Sequence, residues 1–138
     1  MTQGSFIAAR LVRFCYGHRL LNYEGKCRHP HGHNGLLEIA VRAEKLDGRG
    51  MAVDFEEIKS SIGRWVDEAM DHKMLLNKAD PLAAALKKMG EPVFEMEENP
   101  TAENIARLVY EQARKAGLDA AWVRLWETDN SFAEYRGR

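Results

Sequence analysis

LLEIAVRA, residues 36–43, alternates its side chains around Leu37, Ile39 and Val41. This period of two predicts a half-buried β-strand. Upstream, the apolar stretch from Phe6 to Phe14 predicts a first strand. A long loop rich in histidine separates the two strands, so any site built on this loop would lie at one end of a strand pair.

Downstream of this strand the sequence predicts two main amphipathic helices. A turn and a short strand end at Met51–Val53 lead to Asp54, which suits an N-cap with Glu57 as its reciprocal capping-box partner. Thr101, after a proline, predicts the N-cap of a second helix that ends at Gly117. The first helix carries one apolar stripe, which should pack on a sheet: Phe55, Ile58, Ile62, Trp65, Val66 and Ala69.

The remaining elements are short. Asp80-Pro81 predicts the start of a small helix that ends before Gly90, and Pro92–Met96 predicts a brief strand. Ala121–Trp126 and Phe132–Tyr135 predict two closing strands. Strands at both ends with helices grouped between them favour one α+β domain over residues 1–138, with an antiparallel sheet.

Composition limits the possible partners. The 20 Lys+Arg and 21 Asp+Glu give a net charge of −1, which indicates neither a nucleic-acid nor a membrane partner. The chain has no long apolar run, and residues 1–5 lack the basic and apolar pattern of a signal peptide, so we expect a cytoplasmic protein. In a reducing cytosol, a cysteine beside a histidine cluster favours a ligand or a reactive thiol over a disulfide.

The histidines of the loop predict a metal site. His31 and His33 are two residues apart and share one face of an extended strand, and His18 completes a set of three imidazoles. Three histidines with one open position are typical of catalytic zinc, whereas structural zinc usually has a fourth protein ligand. His29 has the same parity as His31 and is the alternative to His18, although Pro30 interrupts the strand geometry.

Cys27 lies four residues before His31, close enough to face a molecule bound to the metal. A nearby cation favours the thiolate, which can act as a base or a nucleophile. The alternatives are a fourth zinc ligand, which would make the site structural, or a small buried side chain. For Cys15, at the end of the apolar first strand, we predict a place in the core.

Two further groups could take part in chemistry. Asp71 next to His72 could fix the tautomer of the imidazole and make a proton shuttle; alternatively, His72 interacts only with the end of a helix. Glu127 follows the strand Ala121–Trp126 and could present its carboxylate to a bound ring; alternatively, it is an ordinary solvated side chain at a strand end.

Seven segments, taken in order along nearly the whole chain, resemble the 6-pyruvoyl-tetrahydropterin synthase / 6-carboxytetrahydropterin synthase (QueD) family. No single segment is decisive, whereas the set in this order is distinctive. The segments are Gly17-His18-Arg19-Leu20, Lys26-Cys27, His31-Gly32-His33, Val53-Asp54-Phe55, Asp71-His72, Asn99-Pro100-Thr101-Ala102-Glu103-Asn104 and Glu127-Thr128.

The resemblance implies a tunnelling fold. In this fold an antiparallel four-stranded sheet carries two main helices on one face, and three subunits close a barrel. Two trimers usually stack into a homohexamer, and the site is assembled across a subunit interface. The segment from Lys73 to Glu98 is longer than in compact members of the family, and Cys15-Tyr16-Gly17 replaces the usual small residues before His18.

The resemblance also implies roles for individual residues. It implies that Zn²⁺ is bound by His18, His31 and His33. It implies that Cys27 removes the proton from carbon, with Asp71 and His72 as its partners. It implies that Glu127 anchors the pterin ring, with Thr101 and Glu103 near the pocket.

The implied substrate is 7,8-dihydroneopterin triphosphate, and the implied enzyme is a carbon-oxygen lyase. The spacing of four between Cys27 and His31 and the short run from His29 to His33 resemble the 6-carboxytetrahydropterin type, which releases triphosphate and acetaldehyde on the way to queuosine, more than the 6-pyruvoyl type. An enzyme that makes both products is also possible. Two other readings stay open from the residues: a non-enzymatic zinc-binding module, and a hydrolase that uses zinc-bound hydroxide.

Overall fold

The centre of the fold is a pair of long antiparallel strands, β1 (Phe6–His18) and β2 (His31–Ala43). The computed structural model describes residues 4–137. The pair is in register from Phe6 opposite Ala43 to His18 opposite His31. Both strands therefore extend beyond their predicted ends, and three of the histidines expected in or beside the loop, His18, His31 and His33, lie on paired strands.

The sheet has six strands in the order β4-β3-β1-β2-β5-β6. The α+β class is confirmed, but the expectation of an antiparallel four-stranded sheet is wrong. The strand β3 was not predicted, and it pairs in parallel with β1 and with β4. The bounds of the other four strands are β3 Lys73–Asn77, β4 Val93–Met96, β5 Ala120–Thr128 and β6 Ser131–Tyr135.

The long segment after Lys73 accounts for the two extra strands. Parallel strands need a crossover connection, and the helix α3 (Pro81–Lys88) connects β3 to β4. Asp80 caps this helix as predicted, because its side chain accepts a hydrogen bond from the backbone N–H of Leu82. The segment is thus an edge of the sheet rather than a separate insertion.

The predicted helix after Asp54 is present in three continuous parts: α1 (Phe55–Ile58), a π-helical turn (Lys59–Gly63) and α2 (Arg64–Ala69). Asp54 accepts from the backbone N–H of Glu56. The final helix, α4 (Ala102–Lys115), is capped by Thr101 as predicted. None of the described helices could cross a bilayer.

One face of the sheet and the helices enclose the core. Phe55 was predicted in the apolar stripe of the first helix but is 54% exposed, because it lies in the first turn, beyond the edge of the core. The opposite face of the sheet leaves Ile7, Leu11 and Phe132 exposed in this single chain. The fully buried side chains include Leu37, Ile39, Ile58, Ile62, Val66, Ile105, Val109, Val123 and Leu125.

A buried ion pair connects the end of β1 to the start of α3. The Nε of Arg19 donates to Asp80 at 2.8 Å, and a second guanidinium nitrogen contacts the other carboxylate oxygen. The Asp80 side chain is completely buried. Hydrogen bonding to Arg19 lowers the pKa of Asp80, and this effect outweighs burial, which favours the neutral acid.

Replacing Asp80 with alanine is expected to reduce the free energy of unfolding by about 3 kcal/mol. About 1 kcal/mol of this comes from the lost helix cap, and the rest from hydrogen bonds to a charged partner. Urea unfolding measures the change. The surface pair of Arg114 and Asp119 offers a matched control, since Asp119→Ala removes an exposed ion pair and should cost less than about 1 kcal/mol.

The same carboxylate predicts a dependence of stability on pH. A lowered folded-state pKa contributes stability that is complete above the ordinary aspartate value of 3.8 and is lost as the pH falls through the folded value. Asp80→Asn keeps a capping oxygen but cannot titrate, so its stability should fall less steeply below pH 4 than that of the wild type. Identical acid-unfolding curves would contradict this role.

Candidate metal centre and pterin site

Three imidazoles converge on the core face of the sheet, at one end of β1 and β2. His18 and His31 are cross-strand partners, and His33 lies two residues further along β2. One ligand atom from each of the three lies within 4.8 Å of the others, and the Nε2 atoms of His18 and His33 are 3.1 Å apart. The structure thus brings together the three residues that the sequence predicted.

Two of these rings are oriented by backbone carbonyls. His18 Nδ1 lies 2.7 Å from the oxygen of Pro100, and His31 Nδ1 lies 2.7 Å from the oxygen of His29. An Nδ1–H that donates to a carbonyl leaves the Nε2 lone pair free, which is the usual arrangement of metal-binding histidine. The donor set therefore fits a divalent metal ion such as zinc.

His29, the alternative ligand, is not a member of the three-histidine group. Its ring accepts a hydrogen bond from Arg28 at 3.2 Å, and only its main-chain oxygen reaches His31. Pro30 separates the two residues, and β2 begins only at His31. The proline thus ends the strand parity on which the alternative was based.

His18 is buried, and burial lowers its pKa to about 4; the hydrogen bond to Pro100 opposes this shift, while the other two histidines reinforce it. A neutral imidazole is the form that binds a metal ion. At neutral pH the ring of His18 is therefore in its ligand form before any ion arrives.

A polar junction around Asn99 holds the carbonyl of Pro100 in place. The Asn99 side chain accepts from the backbone N–H of Leu21 at 3.0 Å and donates to the oxygen of the same residue at 2.8 Å. Asn77 in β3 donates to it at 3.3 Å, and Asn104 in α4 donates to its main-chain oxygen at 2.9 Å. These bonds fix the start of α4 against the end of β1.

Glu127 lies beside the histidine group, near the end of β5. Its Oε2 is 3.1 Å from His33 Nε2. With Glu103 it lines a concavity of about 330 Å³ between the start of α4 and the β5–β6 turn. The hydroxyl of Thr101 accepts from Asn104 N–H as the helix cap, and Thr101 is not among the residues that line this concavity.

Cys27 lies in a short 3₁₀ turn, Lys26–Arg28, between the two strands. Its main-chain oxygen accepts from the N–H of Leu20 at 2.8 Å, which closes the loop. Its side chain is half-buried, and the thiol is not part of the three-histidine group. The described residues therefore do not assemble a four-ligand set that includes Cys27.

Asp71 and His72 are hydrogen-bonded to each other, with Nδ1 of the imidazole 2.7 Å from the carboxylate. Burial favours the neutral acid, but hydrogen bonds from the Cys15 N–H and from His72 lower the pKa of Asp71 overall. His72 has a φ of +60°, unusual for a residue with a side chain, and its imidazole is 78% exposed. Within residues 4–137 no hydrogen bond joins this pair to Cys27.

Comparison with known proteins identifies the family. The chain matches the family described as 6-pyruvoyl tetrahydropterin synthase over residues 7–138. It is also 37% identical to 6-carboxy-5,6,7,8-tetrahydropterin synthase of Rickettsia conorii, over 91% of this chain and 96% of that protein. The chain belongs to the 6-pyruvoyl tetrahydropterin synthase family.

Other proteins similar to this chain are more distant in sequence. A 6-pyruvoyl tetrahydrobiopterin synthase of Dictyostelium discoideum is 29% identical over 82% of this chain and 75% of that protein. The Caenorhabditis elegans 6-pyruvoyl tetrahydropterin synthase superposes with a TM-score of 0.73 at 22% identity, covering 100% of both chains. An uncharacterized protein from Wolinella succinogenes superposes with a TM-score of 0.82 at 24% identity, over 97% of this chain and 99% of that one. These superpositions show the shared fold.

Cys15 is exposed in this member of the synthase family, so the prediction that it lies in the core is wrong. Core-facing positions of β1 near the site are even-numbered, such as Phe14 and Tyr16, and Cys15 faces the opposite side. Its thiol donates to the Asn34 side chain at 3.0 Å. With His31, His33 and His72, it lines a concavity of about 590 Å³.

Tyr16 is a site residue that the sequence analysis missed. Its ring is buried, stacks on Phe14 and has its centroid 5.2 Å from that of His18 and 5.6 Å from that of His33. Burial, and to a smaller extent the charge of Glu127, raise the pKa of Tyr16, so its hydroxyl stays protonated. The sequence did carry a signal for it: Tyr16 alternates with Phe14 and His18 along β1 and therefore shares their face of the strand.

Proposed function

We propose that this chain is a zinc-dependent 6-carboxy-5,6,7,8-tetrahydropterin synthase. In this proposal it converts 7,8-dihydroneopterin triphosphate with loss of triphosphate and acetaldehyde. The observation that carries the proposal is the group of three histidines with the Glu127 carboxylate directly beside it. This arrangement offers a metal position and a ring-recognition position within one site.

A zinc ion bound by His18, His31 and His33 supplies Lewis-acid stabilisation of negative charge on a substrate oxygen. The protein orients two of these histidines without any metal ion. The carbonyls of Pro100 and His29 hold two of the rings in the tautomer that presents Nε2. Since Cys27 is outside the three-histidine group, a metal ion held by His18, His31 and His33 would keep a coordination position for substrate.

In the proposed mechanism Cys27 removes the carbon-bound proton. The Lys26–Arg28 turn places Cys27 in the chain between the strands that carry the metal ligands. A nearby cation favours the thiolate, the form that can accept a proton. The hydrogen-bonded pair of Asp71 and His72 is suited to relay protons, because the carboxylate fixes the tautomer of an exposed imidazole.

We propose further that the working enzyme is a homohexamer, a dimer of trimers, with its site shared between subunits. Two observations on the single chain support this proposal. The Asp71–His72 pair has no hydrogen bond to Cys27 within residues 4–137. One face of the sheet also exposes large apolar side chains. In a barrel closed by three subunits this face would line the interior, and a neighbouring subunit could bring its own pair to Cys27.

In the proposal, Glu127 binds the pterin ring through paired hydrogen bonds from adjacent ring N–H groups, which are strong and directional. Glu103 lines the same concavity, and Thr101 anchors the helix that forms its wall. Glu127→Gln should weaken the binding of 7,8-dihydroneopterin roughly tenfold or more while leaving metal content unchanged, because one acceptor becomes a donor. Fluorescence titration measures the affinity.

The matched control for this prediction is Glu97→Gln, an exposed carboxylate paired with Lys78. It should change neither pterin affinity nor metal content. Pterin affinity that is equal in Glu127→Gln and in the wild type would remove Glu127 from the site.

Mass spectrometry of the products tests the function directly. The protein is incubated with 7,8-dihydroneopterin triphosphate, with and without a chelator. A 6-carboxytetrahydropterin product would support the proposal. The Rickettsia protein, named as the carboxy type, also supports it, because its identity to this chain is higher than that of the Dictyostelium 6-pyruvoyl tetrahydrobiopterin synthase. A 6-pyruvoyl product would assign the chain to the other type, and an absence of turnover in the metal-loaded protein would favour a structural zinc module.

A further inference from the structure

The hydroxyl of Tyr16 is buried and has no hydrogen-bond partner among the described residues. The residue as a whole is only 3% exposed. Burial of an unpaired hydroxyl is costly, so native proteins rarely leave one without a partner. Phenylalanine would fill the same space without this cost. An unpaired hydroxyl beside a binding site therefore indicates a partner that is in place only when the site is loaded.

The ring of Tyr16 lies over Gly35, a position of β2 that has no side chain. A side chain at Gly35 would bring its Cβ within 2.9 Å of Tyr16 Cε1 and 3.3 Å of Leu125 Cδ1. The absence of a side chain at Gly35 thus makes room for the ring. Leu36 pairs with Trp126, and Leu37 with Leu125. Continued by one residue, this register would bring Gly35 beside Glu127, so the ring that covers Gly35 and the carboxylate would occupy neighbouring positions on the core face of the sheet.

Glu127 is the acceptor that needs such a donor. Its described partner is the Nε2 of His33, 3.1 Å away, and this nitrogen also lies 3.1 Å from Nε2 of His18. A ring nitrogen that binds a metal ion carries no proton and cannot donate to a carboxylate. If His33 binds metal through Nε2, Glu127 therefore loses this partner.

We propose that the Tyr16 hydroxyl donates a hydrogen bond to the Glu127 carboxylate in the metal-loaded protein and fixes the carboxylate for binding the ring. Tyr16 is then a positioning residue that acts through Glu127. Its role in ring binding rests on the proposed function, whereas the hydrogen bond itself does not. Of the polar groups that contact the histidine group, Tyr16 is the one with a buried and unpaired donor.

A double-mutant cycle on thermal stability tests the hydrogen bond without any substrate. In the zinc-loaded protein, Tyr16→Phe should lower the Tm by about 5 °C, as expected for loss of a hydrogen bond to a charged group. In the Glu127→Ala background the same change should leave the Tm unchanged or raise it, because the acceptor is gone and the Tyr16 hydroxyl is then buried without a partner. Metal content should be equal in all four proteins.

Tyr110→Phe is the matched control, since Tyr110 is buried in α4 against Tyr135, outside the histidine group. Its effect on the Tm should be the same with and without Glu127. If Tyr16→Phe leaves the Tm unchanged or raises it in the protein that keeps Glu127, or has the same effect in both backgrounds, the proposed hydrogen bond is wrong.

Binding of 7,8-dihydroneopterin separates this inference from the proposed function. Tyr16→Phe should weaken binding roughly tenfold, since a hydrogen bond that orients the carboxylate is lost. Equal binding by wild type and Tyr16→Phe would overturn the positioning role. A wild-type protein that binds no pterin would overturn the proposed function, and the Tm cycle would still decide whether Tyr16 pairs with Glu127.

Discussion

Replacing Cys27 with alanine is expected to reduce turnover by a factor of a hundred or more, while the protein still folds, assembles and binds its metal. The size of the effect follows from the contribution of a positioned general base. Metal retention is expected because Cys27 is outside the three-histidine group. Single-turnover assays with 7,8-dihydroneopterin triphosphate, together with metal analysis of the same samples, measure both quantities.

Cys15→Ala is the matched control, because it removes the other thiol of the chain, which lies on the opposite face of β1. It should keep most of the turnover. Loss of metal from Cys27→Ala would make Cys27 a structural ligand. Near-normal turnover would favour zinc-bound hydroxide, or Cys15 as the base. Adding His72→Ala to Cys27→Ala should cost far less than the sum of the two single effects, as for residues that act as a unit.

Replacing any one of His18, His31 and His33 with alanine is expected to remove most of the bound metal. Loss of a group that merely orients a ligand lowers metal affinity 10–100-fold, so loss of a ligand itself should lower it further. Elemental analysis of purified protein measures zinc per chain, and competition with a chromogenic chelator measures affinity.

His29→Ala is a sharp control for this prediction. His29 contributes only its main-chain oxygen to the site, and alanine retains that oxygen. Its zinc content should therefore match that of the wild type. Full zinc occupancy in His18→Ala together with loss of zinc in His29→Ala would reverse the ligand assignment.

Strand parity explains why the convergence of the three histidines could be predicted from sequence. His31 and His33 share a face in any extended strand, and His18 joins them because it is the cross-strand partner of His31. The lengths of β1 and β2 were underestimated because apolar alternation stops at Phe14 and resumes at Leu36. The other residues of the two strands between these points are mostly glycines, histidines, an asparagine and a cysteine, which give no alternating apolar pattern; Tyr16 alone continues the core-facing parity.

The parts of the fold that were missed depend on tertiary contacts. Lys73–Asn77 is short, and its pattern matches neither period clearly, so only its pairing with β1 and β4 defines it as a strand. The exposure of Cys15 and Phe55 depends on which surfaces are covered, and local periodicity does not specify this. The contact between His18 and the carbonyl of Pro100 could not be predicted from the sequence either, because every residue has a carbonyl.

The Asn99 junction indicates at which stage of folding the three-histidine group is completed. His18 is oriented by a carbonyl 82 residues away in the chain, although the other two histidines of the group, His31 and His33, are much closer to it in sequence. Contacts of such long range form late, since a large loop must close first. A free ion that meets the unfolded chain finds only side chains that are close in sequence, such as those of the His29–His33 run, and not an oriented His18. Ion capture is therefore expected to follow the docking of α4 rather than to guide it.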